Sequence, residues 1–228
     1  MKKEVVNKFE LKLEFNKDTE DPSRLFRSFA DLIDSIKELD TTLAKTINTS
    51  ISSKIYLNDI EKGSLIGKLW NHLIINDDNK LDDNKITEET INDFIDESRS
   101  KSIEFIESGK SEVEDLKELA KNIDEIANEK GIKDTFNYAE PSILDLAKNL
   151  NEINDAVSKL GDDEKFVIKN SKNTTEEISK GTEKINLEDV ENALTTEEIK
   201  SENIVYYKIR RPDFLGDSQW DFKHGSKS

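Results

Sequence analysis

The chain has 228 residues, enough for one domain with a full hydrophobic core or for two small ones. Its 34 basic against 50 acidic residues leave a net charge of −16, which argues against nucleic acid and anionic membrane surfaces as partners, since both call for Lys and Arg facing phosphates. The absence of cysteine excludes disulfides, thiolate metal sites and a Cys nucleophile, and it suits a reducing cytoplasm.

The first fifteen residues, MKKEVVNKFELKLEF, start basic, but charges interrupt the apolar positions, so they do not read as a signal peptide. Phe9, Leu11, Leu13 and Phe15 alternate with Glu10, Lys12, Glu14 and Asn16. That period-2 pattern marks a strand with one wet face. Asp21 to Ile47 then carries Leu25, Phe29, Leu32, Ile36, Leu39, Leu43 and Ile47 on one helical stripe, which Phe26 and Ile33 widen towards core-facing width. Asp21 is a good N-cap and Pro22 fits the first helical position.

Ile51, Ser53, Ile55 and Leu57 alternate again, and Glu61-Lys62-Gly63 reads as a tight turn. Ser64 to Trp70 returns as a third strand, with Asn71 to Ile74 compatible with a helix. The unit is β-α-β-β, and if its first two strands run parallel in one sheet the crossover is right-handed. A helix of about 27 residues spans roughly 40 Å, against about 26 Å for a strand of about 8. Leu39, Leu43 and Ile47 are therefore expected to reach beyond the sheet to later helices.

Asn76 to Lys85 is a charged connector; Leu81 and Asp82 stand where a calcium loop needs an oxygen ligand and a glycine. Three helices follow. The first is capped by Thr87, buries Ile91, Phe94, Ile95, Phe105 and Ile106, ends at Gly109, and has an entirely polar middle, Glu97 to Ser102, that is compatible with a break. The second starts on a Ser111/Glu114 capping box and stops at Gly131. The third opens at Pro141 and closes at Gly161. Lys165 to Lys169 is β-prone, Asn170 to Lys184 reads as loop, and Leu187 to Ile199 suggests one or two short helices. Ile204 to Arg210 and Gln219 to Lys223 form a C-terminal hairpin, expected to pair with Lys165 to Lys169. The other readings of its bare side are a truncated chain or a partner's docking edge.

The expected class is α+β: an N-terminal β-α-β-β unit packed on a long amphipathic helix, a helical middle and a C-terminal β-hairpin region. The segments are 1–75, 86–161 and 162–228, which can join as one continuous domain. No apolar run approaches the roughly 18 residues of a membrane span. Heavy use of Lys, Asn and Ile accords with an AT-rich bacterial or phage genome.

Catalytic signals are sparse. No Walker loop, G-x-G-x-x-G or G-x-S-x-G occurs. His72 and His224 lie far apart in unlike contexts, so no metal site and no cofactor are expected. Asp31, Asp34 and Glu38 read as a solvated helix face relieved by Arg27 and Lys37. The leading expectation is a non-enzymatic protein-binding or accessory subunit of a bacterial or phage cytoplasmic assembly, whose partner is another protein or a second copy. Its contact residues are Tyr206, Tyr207, Arg210, Trp220 and Phe222, because aromatics on both hairpin faces beside an Arg resemble an interface hot spot. The alternative is a metal-dependent hydrolase or nuclease with dispersed carboxylates, for which Glu10 and Lys12 supply E-x-K spacing on one strand; Asp213 follows in the wrong order, on a turn. Converging carboxylates in a cleft favour the enzyme, whereas an apolar patch or bare sheet edge favours the binding module.

Overall fold

The computed structural model describes residues 3–15, 19–49, 51–60, 65–75, 87–134, 136, 138–179, 183–200, 208–211 and 221–223. The chain divides into two compact units, residues 1–191 and 192–228.

In the first unit, strands β1 (Lys3–Glu14), β2 (Ile51–Ile60), β3 (Leu65–Ile75), β4 (Lys165–Asn170) and β5 (Thr175–Ile178) form one antiparallel sheet in the order β2-β3-β1-β4-β5. Helices α1 (Pro22–Ile47), α2 (Glu88–Glu107), α3 (Val113–Glu129) and α4 (Ile143–Val157) complete it, and α5 (Leu187–Lys200) spans the boundary between units. The class is α+β, as the alternating and helical periodicities imply. β1 and β2 each pair antiparallel with β3, so they run parallel to each other with β3 inserted between them. Residues 71–74 continue β3, not a helix, since the period-2 pattern runs on through buried Leu69, Asn71 and Leu73.

The alternation on β1 sorts its two faces. Val5, Asn7, Phe9, Leu11 and Leu13 are buried, while Lys8 is exposed and Glu10, Lys12 and Glu14 are half-buried on the other face. Phe15, beyond the strand end, is 38% exposed and does not continue the buried set.

α1 begins where Asp21 accepts from the Arg24 N–H at 3.2 Å, with Pro22 at the first turn. It crosses the sheet diagonally. Its N-terminal end reaches the start of β4, with Arg24 paired to Glu164 at 2.6 and 2.8 Å and the Phe29 ring 6.2 Å from that of Phe166. Its C-terminal end passes directly into β2. Leu39, Leu43 and Ile47 are buried, and α1 packs on α4 and α2 as well as on β2; its contact with α4 runs along the helix. Ser28 donates to the Ala156 carbonyl at 2.7 Å, and the Ala139 N–H donates to the Thr46 carbonyl at 2.8 Å. α4 therefore runs antiparallel along nearly all of α1.

α2 is continuous through its polar middle, the stretch compatible with a break, because Arg99 and Ser102 point inward and are hydrogen-bonded, while Glu97 and Lys101 form ion pairs with Lys130 and Glu104. Asp96, Ser98, Arg99 and Ser102 are buried. Arg99 donates to Asp40 through Nε and Nη2 (2.8 Å each), to Asp96 through Nη1 (3.1 Å) and to Asn7 through Nη2 (2.8 Å). Asn71 donates to Asp40 at 2.7 Å and Ser53 to Asn71 at 2.6 Å, so three strands and two helices share one network. Burial disfavours the Arg99 charge, and Asp40 and Asp96 more than offset this, holding its pKa above the ordinary value.

Three smaller expectations are corrected. α3 starts one residue after Glu112, and its cap makes no side-chain hydrogen bond, so Ser111 forms no capping box. α4 is capped by Ser142, which accepts from the Asp145 N–H, with Pro141 just outside the helix. Residues 175–178 are strand, joined to β4 by a turn in which Asn173 takes φ 62°. Asn170 tightens that turn by accepting from the Lys172 and Thr174 N–H groups at 3.0 and 2.9 Å.

In the second unit, β6 (Lys208–Arg211) and β7 (Asp221–Lys223) pair antiparallel as a two-stranded sheet. In the first unit both edges of β4, the strand expected to receive this hairpin, are already paired, to β1 and β5.

Candidate functional site

The diagonal course of α1 leaves a wedge of the sheet uncovered. As the helix swings towards β4, the far half of β2 and the adjoining end of β3 lose their cover. The resulting groove has a volume of about 680 Å³, in the range of ligand and peptide pockets. Phe26, Ala30 and Ile33 of α1 form one wall, and Ile55, Leu57 and Ile60 of β2 form the other.

Two local features shape it. A β-bulge between Leu57 and Asp59 shifts the pairing with β3, from Leu57 opposite Leu69 to Ile60 opposite Gly67. The extra residue reverses the side-chain alternation, so Leu57 and Ile60 both face α1. Gly67 forms part of the floor. A Cβ there would lie 3.3 Å from the tip of the Phe29 ring, so any larger residue requires that ring to shift by a few tenths of an ångström.

The groove concentrates the exposed apolar surface. Five large apolar side chains are exposed among the described residues, and three of them converge on it: Phe26 (62%), Leu57 (55%) and Ile60 (57%); the Tyr56 ring lies on the other sheet face, against His72. Isolated exposed apolar residues are ordinary; their convergence on one concave site is not. Phe26 and Ile33 thus widen the α1 stripe beyond what the core covers. β2 is also an edge strand.

Along its far border, α1 turns acidic. Asp34 lines both the apolar groove and a second, shallower groove between α1 and α4, where Asp31, Glu38, Glu152 and Asp155 gather. Burial, then Glu38 and Asp155, push the Glu152 carboxyl above the usual range. Lys159, Lys37 and Lys184 neutralise Asp31, Glu38 and Asp155 respectively.

None of the sequence-derived candidates is among the described residues that line the groove. Arg210 lies in β6 and Phe222 in β7, opposite Ile209; Tyr206, Tyr207 and Trp220 lie outside the described residues, as do Asp213 and His224. Glu10 and Lys12 share the wet face of β1, where Lys12 bonds Glu14 at 2.6 Å. His72 is on the same sheet face, with Nδ1 2.5 Å from Glu4 and its ring edge-on to Tyr56 at 4.6 Å. Among the described residues no group of three or more acidic or His side chains could hold a metal ion. No described helix is long and apolar enough to cross a membrane.

Comparison with protein-family models, curated proteins and solved structures finds no match to this chain.

Proposed function

We propose that the chain is a non-enzymatic protein-binding module, an accessory subunit of a bacterial or phage cytoplasmic assembly, that engages its partner through the α1–β2 groove. The observation that carries this reading is the convergence of Phe26, Leu57 and Ile60 on one apolar concavity beside a sheet edge. Burying such side chains fully is worth about 1.5–3 kcal/mol each, before the cost of association. The C-terminal hairpin, with Arg210 and Phe222, is a second proposed contact.

Affinity purification from the native host, followed by mass spectrometry, tests this. The full chain recovers a stoichiometric partner, and Phe26→Ser with Leu57→Ser reduces that recovery at least about tenfold, the scale of losing one or two anchor residues. A parallel Tyr207→Ala, Trp220→Ala variant assigns or removes the hairpin's share. Equal recovery by the groove variant, with folding intact, contradicts the groove reading.

A further inference from the structure

We infer that the occupant of the α1–β2 groove is an amphipathic α-helix of another protein, carrying Lys or Arg along one flank. This deepens the binding-module reading and rests on it.

The helical character follows from the walls. Phe26, Ala30, Ile33 and Lys37 stand at spacings of four, three and four along α1, forming a ridge of the kind that a second helix's side chains interdigitate with. A docking helix offers its own apolar residues at i, i+3, i+4 and i+7 to such a groove. The opposing wall disfavours an added strand. Strand addition needs a regular ladder, and β2 is bulged between Leu57 and Asp59, in the half that flanks the groove.

The basic flank follows from the border. A helix seated against Phe26 and Ile33 lies beside Asp34, which faces both grooves, and beside Lys37, whose charge is paired with Glu38. Behind it stand five carboxylates, counting Asp34, of which three have lysine partners. A Lys or Arg there gains attraction, whereas Glu meets like charge. The net charge decides between a partner and a second copy. Docking two chains of −16 each brings strong like-sign fields together, so a different protein of opposite flank charge is favoured.

A peptide display library tests this on the full chain. The library places apolar residues either at helical spacing or in alternation, with flanks of either Lys/Arg or Glu, and is counter-selected against the Phe26→Ser, Leu57→Ser variant. Selection is expected to enrich helical spacing with basic flanks. Winning peptides are expected to bind Asp34→Lys roughly three- to tenfold more weakly and to weaken as salt rises. Enrichment of alternating sequences points to strand addition and overturns the inference, as does enrichment of acidic flanks or no enrichment over the variant. A concentration-dependent dimer of the wild type in sedimentation, absent from the groove variant, also overturns it, by placing a second copy in the groove. If the groove variant still loses its cellular partner while the library fails, the helix is wrong and the binding surface stands. If neither responds, both fall.

Discussion

Arg99 of α2 and Asp40 of α1 meet as a two-pronged ion pair, with Nε and Nη2 each 2.8 Å from a carboxylate oxygen and both side chains no more than 2% exposed. A buried pair of this kind is weak evidence of net stabilisation, because desolvation offsets attraction, but breaking it leaves charge stranded. Arg99→Met leaves Asp40 and Asp96 buried without their shared cation. It is expected to cost about 3–5 kcal/mol in urea unfolding, and a loss below about 1 kcal/mol would show that water reaches the site.

The two residues lie on opposite sides of the segment 76–86, so residues 1–75 and 87–161 are expected to unfold together. Leu43, fully buried on α1, tests the coupling. Leu43→Asp places a carboxylate in that shared core and lowers the stability of both segments in one transition, by about 3 kcal/mol or more. Two separate melting transitions would mean that the segments hold independent cores.

The groove residues predict the opposite behaviour from the core. Phe26→Ser and Leu57→Ser change side chains more than half exposed and are expected to shift stability by no more than about 0.5 kcal/mol. Leu32→Ala, at a site with no exposure, costs about 2–5 kcal/mol. Thermal melts of the three variants distinguish a binding surface from a core wall.

Two carboxylates give opposite responses to acid. The hydrogen bond from Arg24 holds Glu164 below its ordinary value of 4.5 despite some burial. Its contribution is therefore present above about pH 4.5 and is lost as pH falls through the lowered value. Burial raises Glu176 above 4.5, with the Ser100 hydroxyl and Arg99 only partly offsetting it. The folded state then binds its proton more tightly, so this group adds stability as pH falls through the raised value towards 4.5. Glu164→Gln should flatten the acid limb of the stability profile, and Glu176→Gln should remove the gain in mild acid. Urea midpoints from pH 3 to pH 7 check both signs.

The elements legible in the sequence were those whose polarity matches their burial. The β1 alternation and the α1 stripe locate buried Leu11, Leu13, Leu32 and Ile36, since apolar residues had no other place to go. What escaped was the polar half of the core. Glu97 to Ser102 reads as a surface stretch until Asp96 and Arg99 are seen to face Asp40 and Asn7. A signal did exist. Asn7, Asp40, Ser53 and Asn71 each occupy a position where the surrounding period calls for an apolar residue. β5 was missed for a related reason: Thr175 and Glu177 are exposed at a sheet edge, and an edge strand needs little apolar content. The groove was half-visible in Phe26 and Ile33, which made the α1 stripe wider than one sheet covers. Its other wall depends on the Leu57/Asp59 bulge, which only strand pairing reveals.

Site-specific photo-crosslinking tests the central claim most directly. A benzophenone amino acid placed at Leu57 or Phe26, and as a control at exposed Lys121 on α3, is irradiated in the native host. Adducts to one other protein from both groove positions, and none from Lys121, are the predicted result. Adducts from Lys121 alone, or no adduct from either groove position while the chain remains folded and monomeric, would contradict the groove as the binding surface.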